Sequence, residues 1–272
     1  MSSVFTSLAK TLIKFVMDAS RPDTDLFLMV DEFKGLTSGT VSVIYDFLRI
    51  VGLGLTIIYF IIEMNQKLAL EGRDLNIKSA FAPFLKLMVA IAAIQYSGKI
   101  VGWIISLNDV FIKTVAKSSE DQNLDAFMKS IEKAAEDAGF FLLAFAMLIL
   151  LIIMVVSLVL QLVWLYKAIM YKLELLFRLA LLPIAVSDVY QGANSSAIKY
   201  LKGFFVLGIV GAACVSLPPL AIQIAMNGIS EAAANADIWT AMGALGQLLV
   251  APFAALAATG IVKQLAKEAL NC

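Results

Sequence analysis

Charged side chains that interrupt apolar sequence are the residues of this chain with the most chemistry to offer. In residues 173–192, "LELLFRLALLPIAVSDVYQG", Glu174 and Arg178 lie four positions apart among leucines, Pro183 follows, and Asp188 closes the apolar run. An acid and a base at this spacing meet on one helix face and can pair. They can also present charge to a substrate or to a neighbouring subunit, as ionisable residues within apolar segments often do.

A polar stripe extends this pattern towards the N-terminus. Lys167, Tyr171, Glu174 and Arg178 follow one another at spacings of 4, 3 and 4, which places them on one face of a helix covering 167–182. The other faces are apolar, so we expect the stripe to face water and the rest to be covered by protein or membrane. Two interpretations stay open: a functional stripe, or an interfacial helix whose ion pair contributes little.

Two further sets of charges lie in apolar segments. Asp46 and Arg49, three positions apart, are predicted to form a structural pair near the outer end of a first membrane span. Lys86 and Lys99 lie near the two ends of a second span, from which their ammonium groups can snorkel to the interfaces. Charge near a helix end costs less than charge at the bilayer centre.

The residue types that carry most enzymatic chemistry are scarce. The chain of 272 residues has no histidine, which removes the commonest general base, proton shuttle and metal ligand. Its two cysteines, Cys214 and Cys272, make neither a disulfide framework nor a metal-binding spacing. We therefore expect no catalysis, no cofactor and no metal.

Composition predicts the class of protein that must position these residues. Hydrophobic residues make up 61% of the chain and charged residues only 15%, with a mean hydropathy of +0.88. Soluble domains have about a quarter of their residues charged. The chain is therefore predicted to be an all-α, polytopic membrane protein. Its 21 basic residues balance its 21 acidic ones, so no basic field indicates nucleic-acid binding.

A bilayer core about 30 Å thick requires about 20 apolar residues per helix. That criterion predicts a membrane domain over residues 41–272 with five spans: 41–64, 80–106, 139–165, 200–226 and 241–262. Pro218 and Pro219 are predicted to break the fourth span, as a hinge or kink or, alternatively, as a transporter's discontinuous substrate site. Pro183 is predicted to end the 167–182 helix and turn the chain into a polar loop. Residues 98–116 are either re-entrant or, as we prefer, an extension of the second helix along the surface.

The N-terminal segment, residues 1–40, begins "MSSVFTSLAKTLIKFVMDASR". Lys10 and Lys14 interrupt its apolar residues, which does not fit a signal peptide. The helical spacing of those residues predicts an amphipathic helix in the interface plane, with packing on a neighbouring domain as the alternative. Basic residues are more frequent in the segments that an outside N-terminus would place in the cytoplasm, so we predict an N-out, C-in topology.

Small residues at helix-packing spacing predict close contact between helices. Packing within one monomer and packing between subunits would both use them, so they do not distinguish the two. The candidates are Gly98, Gly102, Gly208, Ala212, Ala254 and Ala258, with Ala251 and Ala255 at the same spacing.

The arrangement of these segments resembles that of a known protein family. A very hydrophobic helix followed by "YKLELLFRLALLPIAVSDVYQG" and then "AIKYLKGFFVLGIVGAA" resembles the TrbL-like inner-membrane components of type IV secretion and conjugal transfer machines. The likeness covers about residues 40–262 and is best over 160–212. It rests on an arrangement of segments and an Arg…Leu-Pro neighbourhood, with no invariant catalytic signature.

The resemblance implies a periplasmic N-terminus, about five spans and a cytoplasmic C-terminus. It also implies a homo-oligomeric ring of five copies in the inner-membrane complex, in contact with pilus or stalk subunits and with transferred DNA or protein. No phosphate-binding loop of the GxxxxGK[ST] type occurs in the sequence, so energy would come from a partner secretion ATPase. The alternative is a small-solute transporter or pore, which the neighbouring genes would distinguish.

Overall fold

The chain is helical, as the sequence predicts. A computed structural model describes residues 7, 8, 10, 11, 14, 15, 18, 22–34, 40–71, 77–117, 140–191, 196–232 and 238–271, and no strand occurs among them. Short 3-10 segments cover Thr24–Phe27 and Asp188–Gln191. The α-helices are α1 (Val30–Lys34), α2 (Thr40–Glu71), α3 (Ile77–Lys117), α4 (Phe140–Ser187), α5 (Ser196–Ala232) and α6 (Ile238–Leu270).

Four of these helices are long and apolar enough to cross a membrane, which confirms the predicted class of all-α membrane protein. Their candidate spans correspond to the first four predicted ones and cover Ser42–Leu70, Phe81–Lys117, Ala144–Tyr190 and Ser196–Ala225. The fifth predicted span, 241–262, lies inside α6, which is not among the four helices found within the described residues. The number of crossings therefore stays a prediction.

Helix lengths settle one open point. α3 runs without interruption from Ile77 to Lys117, so the chain does not double back within 98–116 and the re-entrant interpretation is wrong. The preferred extension of the second helix is present, while its position along a membrane surface stays a prediction. α4 has 48 residues. At a rise of about 1.5 Å per residue it is about 72 Å long, more than twice the hydrocarbon thickness.

The predicted helix end at Pro183 and the predicted break at Pro218 and Pro219 are wrong, while a hinge or kink at these prolines stays a prediction. Pro183 lies inside α4, which continues to Ser187, and Pro218 and Pro219 lie inside the continuous helix α5. A proline removes one backbone hydrogen bond, but membrane helices tolerate this where neighbouring helices pack around the site. Pro183 is such a case: it is buried, and its carbonyl oxygen lies against Gly52 of α2, where a side-chain Cβ would come within 2.6 Å.

The chain divides into two compact units. The cleft unit, named for a cleft between α2 and α3, comprises Leu28–Val110, Tyr171–Ile209 and Gln264–Cys272. The Lys167 unit comprises Met1–Phe27, Phe111–Met170 and Val210–Lys263. The long helices α3, α4, α5 and α6 each contribute a segment to both units.

Within the cleft unit, α2 and α3 form an antiparallel pair. The Tyr45 hydroxyl lies 2.8 Å from Ser97 Oγ near one end of the pair, and Lys86 Nζ lies 3.0 Å from Glu63 Oε1 near the other. The 3-10 segment Asp188–Gln191 also contacts α2. These contacts bring segments that are distant in sequence into one compact body.

Two adjacent polar residues of α3 connect it to other parts of the cleft unit. Asn108 donates a hydrogen bond of 2.9 Å to the carbonyl oxygen of Phe204 on α5. The Asp109 carboxylate accepts hydrogen bonds from the backbone N–H groups of Met29 and Val30, each with a shortest distance of 2.9 Å. Asp109 therefore satisfies backbone donors at the start of α1, as a capping carboxylate does. The hydrogen bonds of Asp109 therefore fix α1 against α3.

The Lys167 unit has an apolar interior. Leu150, Leu160 and Trp164 of α4 are buried in it, as are Ala251 and Ala255 of α6. The described positions of the predicted N-terminal helix, from residue 7 to residue 18, are helical, and the rest of that segment up to residue 21 lies outside the described residues. Its predicted position in the interface plane stays a prediction.

Large apolar side chains cover the outer surface of the candidate spans. Phe47, Trp103, Phe177 and Ile224 are 64%, 75%, 68% and 72% exposed. Such surfaces are unstable in water over the length of a helix and are stable against lipid. Lipid contact therefore accounts for the surface of this multi-pass protein. By contrast, 61% of the apolar 18-residue stretch that makes α5 a candidate span is buried within the chain, against 11% of the corresponding stretch of α2.

Candidate functional site

A cleft of about 730 Å³ opens in the cleft unit between α1, α2 and α3. Asp46 and Arg49 line it from the first turns of α2, and Gln95 and Lys99 line it from α3. The spacings of three and four residues place each pair on one face of its helix, so both helices present polar groups to the same space. The cleft thus brings together three charged side chains within two candidate spans.

The pairing of these charges differs from the predicted one. Arg49 donates a hydrogen bond to the side-chain oxygen of Gln95 across the cleft, and the described ion pairs do not join it to Asp46. Lys99 Nζ lies 5.4 Å from the centre of the Tyr96 ring. Arg49 and Lys99 therefore have neutral partners. The predicted Asp46–Arg49 pair is wrong because a partner 46 positions away lies closer than the acid on the same helix.

Two predicted helix-packing residues form part of the cleft. A Cβ at Gly98 would lie 3.3 Å from the Tyr45 hydroxyl oxygen, and a Cβ at Gly102 would lie 2.8 Å from Cζ of Phe33. Both glycines therefore admit aromatic rings of the same chain. Their GxxxG frame serves packing within the cleft unit, and it does not require a second subunit.

The Arg178 cluster, formed by Glu174, Arg178, Tyr200 and Gly203, lies between α4 and α5 in the same unit. Arg178 Nη2 lies 3.0 Å from Glu174 Oε1, which confirms the predicted pair. The guanidinium lies 5.9 Å from the centre of the Tyr200 ring, and the Tyr200 hydroxyl donates a bond of 2.7 Å to the Arg178 carbonyl oxygen. Gly203 leaves room for the guanidinium, because any side chain there would overlap it.

This geometry corrects the expectation that the polar stripe faces water. The Arg178 and Glu174 side chains are 22% and 31% exposed, and Tyr171 is buried. Of the apolar residues between Glu174 and Arg178, Leu175 is buried and Phe177 is 68% exposed. In a helix surrounded by lipid, charges are more stable against other helices, so the stripe lies against protein. The face that lies outside is the apolar one with Leu173, Phe177 and Leu181.

Asp188 and Lys86 also take part in contacts within the cleft unit. Asp188 Oδ2 accepts a bond of 2.8 Å from the backbone N–H of Ser196, the first residue of α5, and so caps that helix. Lys86 pairs with Glu63 and lies 5.8 Å from the centre of the Tyr190 ring. Lys86 thus has protein partners in addition to any snorkelling, and sequence reasoning missed Glu63.

Lys167 occupies a different environment in the Lys167 unit. Its ammonium group donates to the carbonyl oxygen of Leu256 at 2.9 Å and to the Thr259 hydroxyl, both on α6. The same group lies 5.9 Å from the centre of the Trp164 ring. The side chain therefore connects α4 to α6. Within the part of the chain that the structure describes, no group of three or more acidic or cysteine side chains could hold a metal ion.

The remaining small residues divide into buried and open positions. Gly208 packs against Asn108, and Ala212 is buried. Ala254 is exposed and Ala258 is partly exposed, while the alternative pair Ala251 and Ala255 is buried. The face that α6 uses within the chain is thus the 251/255 face. The face with Ala254 and Ala258 stays available for lipid or for another subunit.

No protein-family model, no curated protein and no solved structure matches this chain. Any function must therefore be inferred from the residues, their contacts and the sequence resemblance alone.

Sequence reasoning missed Gly52, Gln95, Asn108 and Asp109. The polar "SLND" inside the apolar stretch 98–116 was a signal for the last two, because an Asn-Asp pair in a membrane helix requires partners. Nothing local in the sequence indicated Gln95 as the partner of Arg49.

Proposed function

We propose that this protein is an integral membrane component of a type IV secretion or conjugative DNA-transfer machine. It acts as a scaffold or channel subunit without catalysis, in a homo-oligomeric ring. Two lines support this proposal: the resemblance of residues 160–212 to TrbL-like components, and the use that the described residues make of their intramembrane charges.

The observation that carries most weight is that these charges connect helices of one chain. Arg178 and its partners join α4 to α5, Lys86 and Glu63 join α3 to α2, and Lys167 joins α4 to α6. A solute pathway needs polar groups that stay free to bind and release a solute. A scaffold needs charges that hold helices in place, and most of the described ones do so.

Partners of the proposed scaffold follow from its surfaces and from the resemblance. The exposed apolar faces provide contact area for lipid and for further copies of the chain, and one heterologous interface repeated around an axis closes a ring. Five copies is the number that the resemblance implies. A secretion ATPase, pilus or stalk subunits, and transferred DNA or protein are the partners expected of such a machine.

Deletion of the gene in its host tests the machine directly. We expect loss of DNA transfer or of secreted substrate, restored by the wild-type gene, with membrane integrity unchanged. Native mass spectrometry in mild detergent and class averages along the membrane normal test the ring. Unimpaired transfer, or a monomer at every protein concentration, would contradict the proposal.

We also propose that the chain lies in the cytoplasmic (inner) membrane with its N-terminus outside and its C-terminus in the cytoplasm. In a background with Cys214 and Cys272 replaced, single cysteines within 227–240 should react with a membrane-impermeant thiol reagent from outside. Single cysteines within 189–197 should react only after the membrane is opened. The reverse labelling pattern would invert the topology.

The α2–α3 cleft favours a second candidate, a small-solute transporter, because it presents Asp46, Arg49 and Lys99 in one space. Reconstituted liposomes distinguish the two functions. Uptake of a labelled organic anion that depends on Arg49 would support transport, and proteoliposomes without such uptake, together with a transfer defect in cells, would support the machine component.

A further inference from the structure

The α2–α3 cleft contains more positive than negative charge. Arg49 and Lys99 face it with neutral partners, Gln95 and Tyr96, and Asp46 is the one carboxylate among the described residues that line it. Two cations against one anion leave a net charge of about +1 at neutral pH. In an open cleft between two helices, such a charge attracts an anion that comes within a few ångströms of both cations.

The cleft also lies at the end of a candidate span. Asp46 and Arg49 belong to the first two turns of the span Ser42–Leu70. Aromatic side chains surround them: Tyr45 and Trp103 line the cleft, and Trp103 is 75% exposed. Tyrosine and tryptophan concentrate at the level of lipid headgroups, so this composition is typical of the membrane interface.

Apolar surface continues from the cleft along both helices. Phe47 and Ile50 on α2 are 64% and 71% exposed, and Met88 and Val89 on α3 are 55% and 51% exposed. Because the helices are antiparallel, both pairs lie on the side of the cleft that faces the Glu63–Lys86 contact. A ligand with an anionic head and a long apolar tail would match the charges and this surface at the same time. A water-soluble anion would match the charges alone.

We infer that the α2–α3 cleft binds the headgroup of an anionic phospholipid, with its phosphodiester between Arg49 and Lys99 and its acyl chains along the exposed faces of α2 and α3. The cavity of about 730 Å³ lies within the range of about 300–1,000 Å³ that is usual for small-molecule sites. The Asp46 carboxylate repels the negative headgroup, and this repulsion would be larger for a headgroup with a second negative charge. The site does not depend on the proposed secretion function.

Lipid retention tests the inference on the full-length protein in detergent. The protein is incubated with phosphatidylglycerol or with phosphatidylethanolamine of the same acyl chains, and bound lipid is counted by native mass spectrometry. The R49Q/K99Q variant should bind phosphatidylglycerol about 10- to 30-fold more weakly, because each cation near a membrane surface contributes about a factor of five. The Asp46→Asn variant should bind it about threefold more tightly.

A matched control removes the same charge elsewhere on α3. Lys113 and Lys117 are exposed and do not line the cleft, so the K113Q/K117Q variant should change retention less than about threefold. Equal losses in the two double variants would mean non-specific attraction and would overturn the site. Weaker phosphatidylglycerol binding by Asp46→Asn would contradict the assigned repulsion. Tighter retention of phosphatidylethanolamine than of phosphatidylglycerol by the wild type would overturn the site, since it would point to a headgroup amine on Asp46.

Two measurements keep the test valid if R49Q/K99Q does not fold. The conservative R49K/K99R variant, which keeps both charges, should retain phosphatidylglycerol within about threefold of the wild type. Wild-type protein exposed to phosphatidylglycerol with a photoreactive headgroup should be labelled on peptides that contain 42–49 or 95–106. Labelling only elsewhere, or displacement of the lipid by an equal concentration of glycerol phosphate, would contradict the proposal.

Discussion

The Arg178 cluster and the α2–α3 cleft belong to the same compact unit and use the same residue types to different ends. Arg178 is half-buried, bonds to Glu174 and packs on Tyr200 and Gly203 of the neighbouring helix. In the cleft, Arg49 meets the neutral Gln95, and the carboxylate on its own helix, Asp46, is left facing the open space.

The difference teaches which arginine stabilises the fold and which one can bind a ligand. Removing Arg178 takes its ion-pair partner from the half-buried Glu174, and losing a charged hydrogen bond is costly where water has little access. Removing Arg49 leaves only polar groups that an open cleft can hydrate. Both regions contain an arginine, a carboxylate and a tyrosine. The different roles of the two arginines therefore come from the side chains that the neighbouring helices place beside them.

The largest expected effect on stability is at Gly52, which links the cleft helix α2 to the cluster helix α4. A Cβ there would lie 2.6 Å from the carbonyl oxygen of Pro183. Because that oxygen belongs to backbone, Gly52→Ala should separate the helices and lower the free energy of unfolding by about 1–3 kcal/mol. Thermal unfolding in detergent, followed by circular dichroism, measures the loss.

Gly54→Ala is the matched control for Gly52→Ala. Nothing lies within 4 Å of a Cβ built at Gly54, two residues further along α2. Alanine should therefore leave stability unchanged or raise it by about 0.5–1 kcal/mol through its higher helix propensity. Equal behaviour of the two variants would show that α2 and α4 do not pack as closely as the structure has them.

The next largest effect compares the two arginines. Arg178→Ala should insert normally but lose about 1–2 kcal/mol of stability, because Glu174 loses its ion pair and Tyr200 loses the cation beside its ring. Arg49→Ala should change stability by less than about 0.5 kcal/mol, since an exposed polar contact contributes little. The same unfolding measurement serves both variants.

Assembly and substrate transfer provide a second readout for this pair. We expect Arg178→Ala to reduce both, because the α4–α5 contact supports the proposed ring subunit. Wild-type stability and transfer in that variant would return the polar stripe to the role of an ordinary interfacial helix, and a larger loss from Arg49→Ala would reverse the comparison.

Local spacing explains what could be predicted from the sequence and what could not. The Glu174–Arg178 pair was predictable because both residues lie on one helix, four positions apart. The Arg49–Gln95 contact joins residues 46 positions apart, and Asn108 reaches Phe204 over 96 positions. No periodicity in one helix identifies such partners, because they depend on how helices pair.

The same limit applies to backbone features. Length and apolar composition predicted five spans, four of which correspond to candidate spans of the structure, since membrane thickness alone sets that requirement. Whether Pro183 ends a helix depends on its neighbours: Gly52 gives its carbonyl room, so α4 continues to Ser187. The polar stripe of α4 was predicted to face water for a similar reason. It lies against protein because Tyr200 and Gly203 of α5 pack on Arg178.

The smallest loss expected from an interhelical contact is at Asn108, which ties the cleft wall α3 to the cluster helix α5, and it lies between those of the two arginine variants. Its amide donates to the Phe204 carbonyl oxygen at 2.9 Å and packs on Gly208. Asn108→Leu keeps the shape of the side chain and removes the hydrogen bond, and interhelical bonds of this kind contribute about 0.6 kcal/mol on average in membrane proteins. We expect a loss of that size, since the Phe204 carbonyl lies inside α5 and keeps its helical partner.

Ser106→Ala, which removes only a bond to Gly102 of the same helix, should stay within experimental error. A loss above about 2 kcal/mol from Asn108→Leu, or weaker phosphatidylglycerol retention in that variant, would show that the cleft and the cluster are energetically coupled through α3 and do not act as separate regions.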